Sequence, residues 1–418
     1  MQEIMAVVLA AGKGTRMKSK NSKLVQKIFG KEIIRRAVDN AKNAGIDRII
    51  AVVGYKKEQV MSVLGDDVEY AEQKEMLGTG HAVMQATKFL EGKKGKVLIL
   101  NGDHPIIRPE TLKNLFEVSN ERQESATVLT IMHNEEIPYG KIIHDEEGKV
   151  VEIVEYKDCN EEQLKIRELN LGMYCFDIEE LLKALKELKT DNAQNEYYLT
   201  DVVKIMYNKG LKTGSVVVTD TAEVLGINDR MDLQVLTKAL QLRINTEHMK
   251  NGVTIEDINT TYIYDDVKIG IDTVIHPNTT IKSNVEIGED CEIGPNAYIR
   301  EECKIADNVK IGSFVELKKT TVGKGTKIPH LTYMGDCEVG ENTNVGCGTI
   351  TCNYDGSSKS KTIIGNNCFI GSNSNFVAPV NVGDNSFVAA GSTITEDVPE
   401  DSLAIARERQ TNKEGWNK

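Results

Sequence analysis

Residues 269–317 read IGIDTVIHPNTTIKSNVEIGEDCEIGPNAYIREECKIADNVKIGSFVEL, and this stretch decides the fold. An aliphatic residue stands at every sixth position: Ile269, Ile275, Ile281, Ile287, Ile293, Ile299, Ile305, Ile311 and Leu317. The step shortens to five at Val322, returns to six at Ile328 and Met334, shortens again at Val339 and continues to Val345. After an interruption the series resumes as Ile364, Ile370, Phe376, Val382, Val388 and Ile394. An amphipathic helix repeats its apolar face every three to four residues, so it cannot carry this period. One aliphatic per short fixed repeat is the mark of a β-helix. Each hexad is a short strand and a turn, with the aliphatic pointing inward. One coil cannot bury that side chain alone, whereas stacked coils build a continuous column. At about 4.8 Å between coils, roughly seven coils predict a prism on the order of 30 Å long. The competing reading, an antiparallel sandwich, requires the spacing to be accidental.

Upstream the pattern changes. Residues 4–9 (IMAVVL) read as a buried parallel strand, followed by AAGKGTRM at 10–17. Residues 31–43 are helical, with Ile33, Ile34, Ala37 and Ala41 on one face; 48–54 is a strand, and 57–64 and 79–89 are helices. KVLILNGD (96–103) is a strand ending in an acid. Strands alternating with helices predict a parallel α/β sheet, whose ligands sit at the carboxyl ends of the strands. AAGKGTRM and NGD both lie there. From 124 to 230 the pattern is richer in strands, with helices at 178–188 and 197–208. Leu233, Leu236, Leu240 and Ile244 predict a long helix over 231–249 that ends at Asn251 and Gly252. The reading is therefore a first domain over 1–228, a linker helix over 229–252, and a solenoid with a polar tail over 253–418.

A chain of 418 residues calls for two or three domains. A net charge of −12 argues against bulk nucleic-acid or anionic-membrane binding, though a local basic pocket for phosphates remains compatible with it. The eight cysteines form no C-x-x-C pair and no zinc-like spacing with histidine, which predicts reduced thiols in a cytoplasmic protein. The first residues lack a basic segment and a cleavage site, so no signal peptide is expected, and no apolar run reaches bilayer length.

AAGKGTRM supplies glycines and cations after a strand, a means of wrapping phosphates with backbone N–H groups, with Lys13, Arg16 and Lys23 adding charge. It is neither a Walker loop nor G-x-G-x-x-G, since Met17 stands at the third glycine. By itself it reads equally as an ordinary β–α turn. The wider set is specific. LAAGKGTRM with a downstream lysine, LGTGHA and NGD resemble the sugar-1-phosphate nucleotidylyltransferases. Adding IVEYKD, NAQNEYYLTD, GINDR, HLTYMGD and GTITCNYDG, nearly the whole chain resembles the bacterial bifunctional family that couples an N-acetylglucosamine-1-phosphate uridylyltransferase to a glucosamine-1-phosphate N-acetyltransferase.

That resemblance implies a Rossmann-like nucleotidyltransferase domain followed by a left-handed parallel β-helix of hexapeptide repeats. It implies that Leu9, Ala10, Ala11 and Gly12 line the nucleotide, that Lys23 contacts phosphate, and that Gln73, Gly78 and Thr79 read uracil. Asn101, Gly102 and Asp103 would lie beneath the phosphates and ribose, and Gly140, Glu155, Asn170 and Asn228 would hold the sugar. Asp103 and Asn228 would bind Mg²⁺, a hard cation suited to oxygen ligands; without the pattern, Asp103 reads as a strand-end acid capping a turn. In the solenoid, His330 would take a proton from the sugar amine, a role suited to histidine near neutral pH. The backbone N–H of Cys347 would face the oxyanion. Arg300, Lys318, Tyr333, Asn344 and Lys359 would bind the sugar phosphate, and Asn353, Tyr354, Ser372, Ala390 and Arg407 acetyl-CoA. Outside that context His330 reads as a structural turn residue and Lys318 as part of a solvated face. The polar segment 351–361 reads as a loop thrown out of the solenoid that could reach a neighbouring copy in a homotrimer.

The chain departs from the family pattern at Ser22, where proline is usual, at Asn101, where tyrosine is usual, and at Leu171, where threonine is usual. The Asn101 change implies weaker binding or a shifted sugar preference. The solenoid is also shorter than the family's, ahead of Arg300. The resulting expectation is an enzyme that acts on UTP, acetyl-CoA and glucosamine-1-phosphate. Two alternatives stand beside it: a monofunctional nucleotidylyltransferase with a structural solenoid, and a non-catalytic regulatory scaffold of the same two folds.

Overall fold

The computed structural model describes residues 4–134 and 136–416, and contacts divide the chain into Met1–Thr237 and Lys238–Lys418. The first unit is built on a sheet in the order Thr213–Val218, Ala126–Met132, Glu168–Asp177, Lys96–Asn101, Met5–Ala10, Arg48–Val53, Glu69–Glu72. Neighbours are parallel except around Glu168–Asp177, which runs antiparallel to both strands beside it. The hairpin Lys141–His144/Val150–Val154 attaches to that strand. The central strands are apolar on both faces: Val7, Val8, Ile50, Val52, Val97 and Ile99 are all buried. Helix Ile33–Asn43 covers one face with Ile33, Ile34, Ala37 and Ala41, the stripe its spacing predicts.

The expected helix over 79–89 is two short helices, Thr79–Gln85 and Thr87–Leu90, broken at Ala86. Helix Pro109–Glu121 was not anticipated; Pro109 opens it at the first turn, and Leu112 and Leu115 bury its inner face.

The second unit is a three-faced parallel β-helix of the left-handed hexapeptide type. One face stacks nine strands, from Thr254–Ile255 to Leu403–Ala404. Nine rungs span about 38 Å, longer than expected because the solenoid begins before Ile269 and runs past Ile394. The aliphatic column is as predicted: Ile275, Ile281, Ile293, Ile299, Ile311, Leu317, Ile328, Met334, Val345 and Val388 are 0 % exposed. Ile269, in the first coil, is only partly buried.

Most corners turn through one residue in the left-handed region, three places after the aliphatic: Asp272, Asn278, Asn284, Asp290, Asn296 and Asn308, glycine at 325, 348 and 391, and also Glu302 and Phe314. Asparagine, aspartate and glycine tolerate that backbone best, which is why they recur at this offset. Coils pair at a spacing of 18 residues (Ile281 with Ile299, Ile293 with Ile311), but at 17 where the period shortens (Leu317 with Met334) and 25 across the interruption (Thr351 with Phe376). The shortened corners carry unbroken strands, Glu316–Val322 and Tyr333–Val339, with Lys319 and Asp336 in the left-handed region only two places after the aliphatic.

Helix Arg230–Lys250 ends as expected near Gly252, whose φ is 93°. Its buried Gln241 and Asn245 donate to the carbonyls of Thr261 and Ile258, satisfying the open end of the first coil.

Removing one rung of the column is expected to be expensive while trimming the outer ladder is not. Ile293→Ala should destabilise the solenoid unit by about 2–5 kcal/mol. Lys268→Ala, which removes an exposed pair with Glu286 at 3.1 Å, should change stability by less than about 1 kcal/mol. Hydrogen exchange of solenoid amides measures both; equal effects would contradict the inward stacking.

Candidate active sites

In the first unit, the parallel strands end at Ala10, Val53, Glu72 and Asn101, and the candidate residues lie just beyond them. Leu9, Ala10, Ala11, Gly12, Lys23, Gln73, Gly78, Thr79, Asn101 and Asp103 line one cleft of about 280 Å³. Gly140, Glu155, Asn170 and Asn228 line an adjoining cleft of about 370 Å³. Leu9, Thr79, Asn101 and Asp103 border both, so the nucleotide and sugar groups of residues meet at the end of the Lys96–Asn101 strand. Gly102 lines neither cleft; it is where the chain crosses Leu9, and a Cβ there would come within 2.9 Å of the Leu9 carbonyl oxygen and 2.7 Å of Ile34.

Lys23 Nζ donates to Asp103 Oδ2 at 2.5 Å and to the Ile227 carbonyl at 3.1 Å. Its stem passes over Gly14, where a Cβ would sit 3.0 Å away. Burial works to raise the Asp103 carboxyl, but the Lys23 charge and hydrogen bond outweigh it and hold the group below the usual carboxylate range. Arg16 Nη2 donates to Asn228 Oδ1 at 2.9 Å. Thus both expected metal ligands present oxygens to one cleft, each already facing a cation. Among the described residues no group of three or more His, Cys, Asp or Glu is placed to hold a metal.

Two departures from the family pattern touch: Asn101 Nδ2 donates to the Leu171 carbonyl at 3.4 Å, and Gly172 leaves room for that amide, since a Cβ there would approach it to 2.6 Å. Ser22 N donates to Gln59 Oε1 at 2.8 Å, a bond proline could not make, and Ser22 Oγ caps the turn that carries Lys23.

The sugar-side cleft also holds residues the sequence did not reveal, among them His104, Tyr139, Tyr174 and Thr200. Strand Glu168–Asp177 shifts register between Asn170 and Tyr174, and that irregularity brings Asn170 Nδ2 within 2.9 Å of the Tyr174 hydroxyl. Glu155 accepts from Thr200 Oγ1 at 3.2 Å, yet burial raises its carboxyl above the ordinary range.

In the second unit the two shortened corners and the interruption fall on consecutive rungs of one corner: 318–320, 335–337 and 352–362. Around it, the Lys359 ammonium, with Arg300 adding its charge, holds Lys318 below the ordinary lysine range. Arg300 and Lys318 occupy successive rungs, since Arg300 N donates to the Leu317 carbonyl. The next rung is Gly335, where a Cβ would meet the Tyr333 hydroxyl at 2.4 Å and the Asn353 amide at 2.9 Å. Asn353 Nδ2 donates to Asp336 Oδ2 at 2.5 Å. Gly335 is buried, its space filled by Tyr333 and Asn353, and Arg300 Nη1 donates to Glu316 Oε1 at 3.0 Å, which leaves Lys318 and Lys359 as like charges at this corner.

His330 is exposed at the neighbouring corner, paired with Ser313 above it and followed by Leu331 at φ 44°. Leu331 stands three places after Ile328, the ordinary corner position, which Glu302 and Phe314 also hold in the left-handed region. Continuing the register places Cys347 on the rung after His330, then Ser372, then Ala390; Cys347 O accepts from Asn373 N at 2.7 Å and Ser372 O from Gly391 N at 2.8 Å. Among the described residues, nothing accepts from the Cys347 N–H. Arg407 reaches this row, its Cδ 3.8 Å from where a Cβ on Gly391 would stand. Tyr354 is exposed on the loop and donates to Gly356 O at 2.6 Å. Asn344 lies apart, on the outward side of the face that carries Lys327 and Phe369, whereas Arg300, Lys318 and Tyr333 lie on the next face.

Residues 5–224 match the family model described as nucleotidyl transferase. Residues 266–299 and 284–319 match that of the bacterial transferase hexapeptide, and 361–396 the hexapeptide repeat of succinyl-transferase. Curated relatives named "Bifunctional protein GlmU" match end to end. That of Acetivibrio thermocellus is 49 % identical over 100 % of this chain and 97 % of the relative. That of Caldanaerobacter subterraneus subsp. tengcongensis is 51 % identical over 100 % and 98 %, and that of Clostridium botulinum (Loch Maree) 48 % over 98 % and 97 %. The first alignment spans 449 positions against 418 residues here, so about 31 positions fall opposite no residue of this chain.

A carboxyl raised by burial stabilises the fold below its unfolded pKa and loses that contribution as pH rises through the folded one. Glu155→Gln should therefore stabilise the protein relative to wild type increasingly from pH 4 to pH 7. Thermal melts across that range test this; a difference that shrinks with pH would contradict the burial assigned to Glu155.

Proposed function

The chain belongs to the bifunctional GlmU family of transferases, and from that premise we propose how its residues divide the work. The solenoid unit transfers the acetyl group of acetyl-CoA to the amine of glucosamine-1-phosphate. The sheet unit then transfers uridylyl from UTP to N-acetylglucosamine-1-phosphate and releases pyrophosphate. The functional division is 1–228 for uridylyl transfer, 229–252 as linker and 253–418 for acetyl transfer. The observation that carries the bifunctional reading is the row of His330, Cys347, Ser372 and Ala390 on successive rungs of one corner, with the Arg300–Lys318–Lys359 cluster at the neighbouring corner. A purely structural solenoid has no use for that arrangement.

For acetyl transfer, His330 accepts a proton from the substrate ammonium, and the free amine attacks the thioester carbonyl. The Cys347 N–H donates to the oxygen that gains charge. CoA leaves along the row of Ser372, Ala390 and Arg407, while Arg300, Lys318 and Lys359 hold the sugar phosphate. Because Asn344 lies on a different face from Tyr333 and Lys318, we place the complete site between copies in a homotrimer, with the 353–361 loop supplied across the interface.

For uridylyl transfer, the sugar-1-phosphate oxygen displaces pyrophosphate from the α-phosphorus, a reaction governed by positioning and charge. Asp103 and Asn228 fit Mg²⁺: two hard oxygens on one cleft, leaving the other positions to water and phosphate. When bound, the ion neutralises phosphate charge. Lys23 and Arg16 keep those oxygens ionised or oriented and stand beside the phosphates, and Glu155, Asn170 and Gly140 fix the sugar. We place the protein in the cytoplasm: its cysteines are all free thiols, and no described helix is long and apolar enough to cross a membrane. The missing 31 or so positions favour one second reading, a uridylyltransferase with a structural solenoid; CoA release separates the two.

The halves should be separable by single substitutions. His330→Ala should lower CoA release from glucosamine-1-phosphate by about 10²-fold or more, while pyrophosphate release from supplied N-acetylglucosamine-1-phosphate and UTP continues. Asp103→Ala should do the reverse, lowering Mg²⁺-dependent pyrophosphate release by about 10²-fold or more. Unimpaired acetyl transfer in His330→Ala rules out the base, and unimpaired uridylyl transfer in Asp103→Ala rules out the metal ligand.

A further inference from the structure

His81 sits behind the base end of the nucleotide cleft and carries no role in the scheme above. Gln73, 4 % exposed, forms part of that cleft's wall. Its Nε2 donates to the Gly78 carbonyl at 3.1 Å and stands 3.1 Å from His81 Nδ1. A carbonyl oxygen only accepts, so this end of the amide is the NH₂ group, with its second hydrogen directed at the imidazole. His81 Nδ1 matches it by accepting. A neutral ring has one accepting nitrogen; with Nδ1 in that role its proton sits on Nε2, 3.1 Å from Gln85 Nε2, an amide nitrogen that itself donates to the His81 carbonyl at 3.1 Å. With both amide hydrogens used, Gln73 has only its oxygen left to offer.

The anchor is rigid. Gly78 has φ 107°, and a Cβ there would lie 2.6 Å from the Tyr197 carbonyl oxygen. Tyr197 N donates to Leu77 O and Gly80 N to Tyr197 O, both at 2.8 Å, so the carbonyl that orients Gln73 is braced from both sides. Gln73 N is held by Val53 O at 2.8 Å.

We infer that His81 is a positioning residue that fixes the Gln73 amide with its oxygen toward the base, and thereby selects uracil over cytosine. Uracil presents an N3–H, which that oxygen accepts. Cytosine presents a lone pair at N3, which faces the same oxygen with no hydrogen between them. A buried polar group left unmatched in this way discriminates strongly. The inference rests on the reading of UTP as the nucleotide and of Gln73 as a base contact.

The test compares kcat/KM for UTP and CTP, by pyrophosphate release, in the full chain and three variants. His81→Phe keeps the ring but removes the acceptor; its UTP/CTP ratio should fall by about tenfold or more, with KM for UTP rising more than kcat falls. His81→Asn restores an oxygen that can accept from Gln73 and should recover most of the ratio. An unchanged ratio in His81→Phe, with a collapsed one in Gln73→Ala, overturns the inference and leaves the base reading intact. An unchanged ratio in Gln73→Ala overturns the base reading itself. Nitrogen-15 NMR of the wild-type ring is independent of any variant's folding: an unprotonated Nδ1 is expected, and a proton on Nδ1 overturns the assignment.

Discussion

Most corners of the solenoid spend one residue in the left-handed region so that the next aliphatic returns to the shared interior. That geometric demand sets the six-residue period, places asparagine, aspartate or glycine at a fixed offset, and stacks Ile281 on Ile299 and Ile293 on Ile311. Parallel stacking then turns sequence spacing into rows of outward side chains one strand spacing apart. The acetyl-transfer residues are read out by that same register. Arg300 and Lys318 fall on successive rungs because they are 18 apart, and Gly335 follows at 17 because one corner residue is missing. Shortening a corner while keeping the aliphatic inward tightens the turn and sets Gly335, packed under Tyr333 and Asn353, on the rung after Lys318. The interruption at the following rung throws Asn353–Lys359 out next to it. Departures from the repeat therefore gather the residues proposed for acetyl transfer.

The sheet unit solves a different problem with the same economy of position. Parallel strands deliver the ends of Met5–Ala10, Arg48–Val53 and Lys96–Asn101 to one edge, where backbone N–H groups and a few charges can gather around phosphates. The Lys23–Asp103 pair ties the loop after the first strand to the end of the fourth. The Asn101 and Leu171 departures meet in one hydrogen bond.

Much of this was legible in the chain before any coordinates. The aliphatic period, the strand-end motifs and the helix stripes are local signals, and Ile33, Ile34, Ala37 and Ala41 are buried as their spacing implies. What was not legible depends on long-range pairing. Tyr174 joins the sugar-side cleft only because its strand slips register after Asn170. His81 acquires a purpose only because Gly78 and Gln73 fold back onto it. Helix Pro109–Glu121 lies beyond the acid-ended strand, and its local signal is short: a proline followed by Leu112 and Leu115 on one face. The solenoid's extra length arose from coils before Ile269 and after Ile394, where the period is imperfect and a strict six-residue count stops early.

The central claim is that one chain carries two successive transfers, the first making the substrate of the second. The most direct measurement supplies the wild-type protein with glucosamine-1-phosphate, UTP and Mg²⁺, with and without acetyl-CoA, and follows CoA and pyrophosphate together. The account predicts that CoA appears first, that pyrophosphate follows after a lag, and that pyrophosphate release depends on acetyl-CoA. Pyrophosphate released at the same rate without acetyl-CoA, or no CoA released at all, would contradict it.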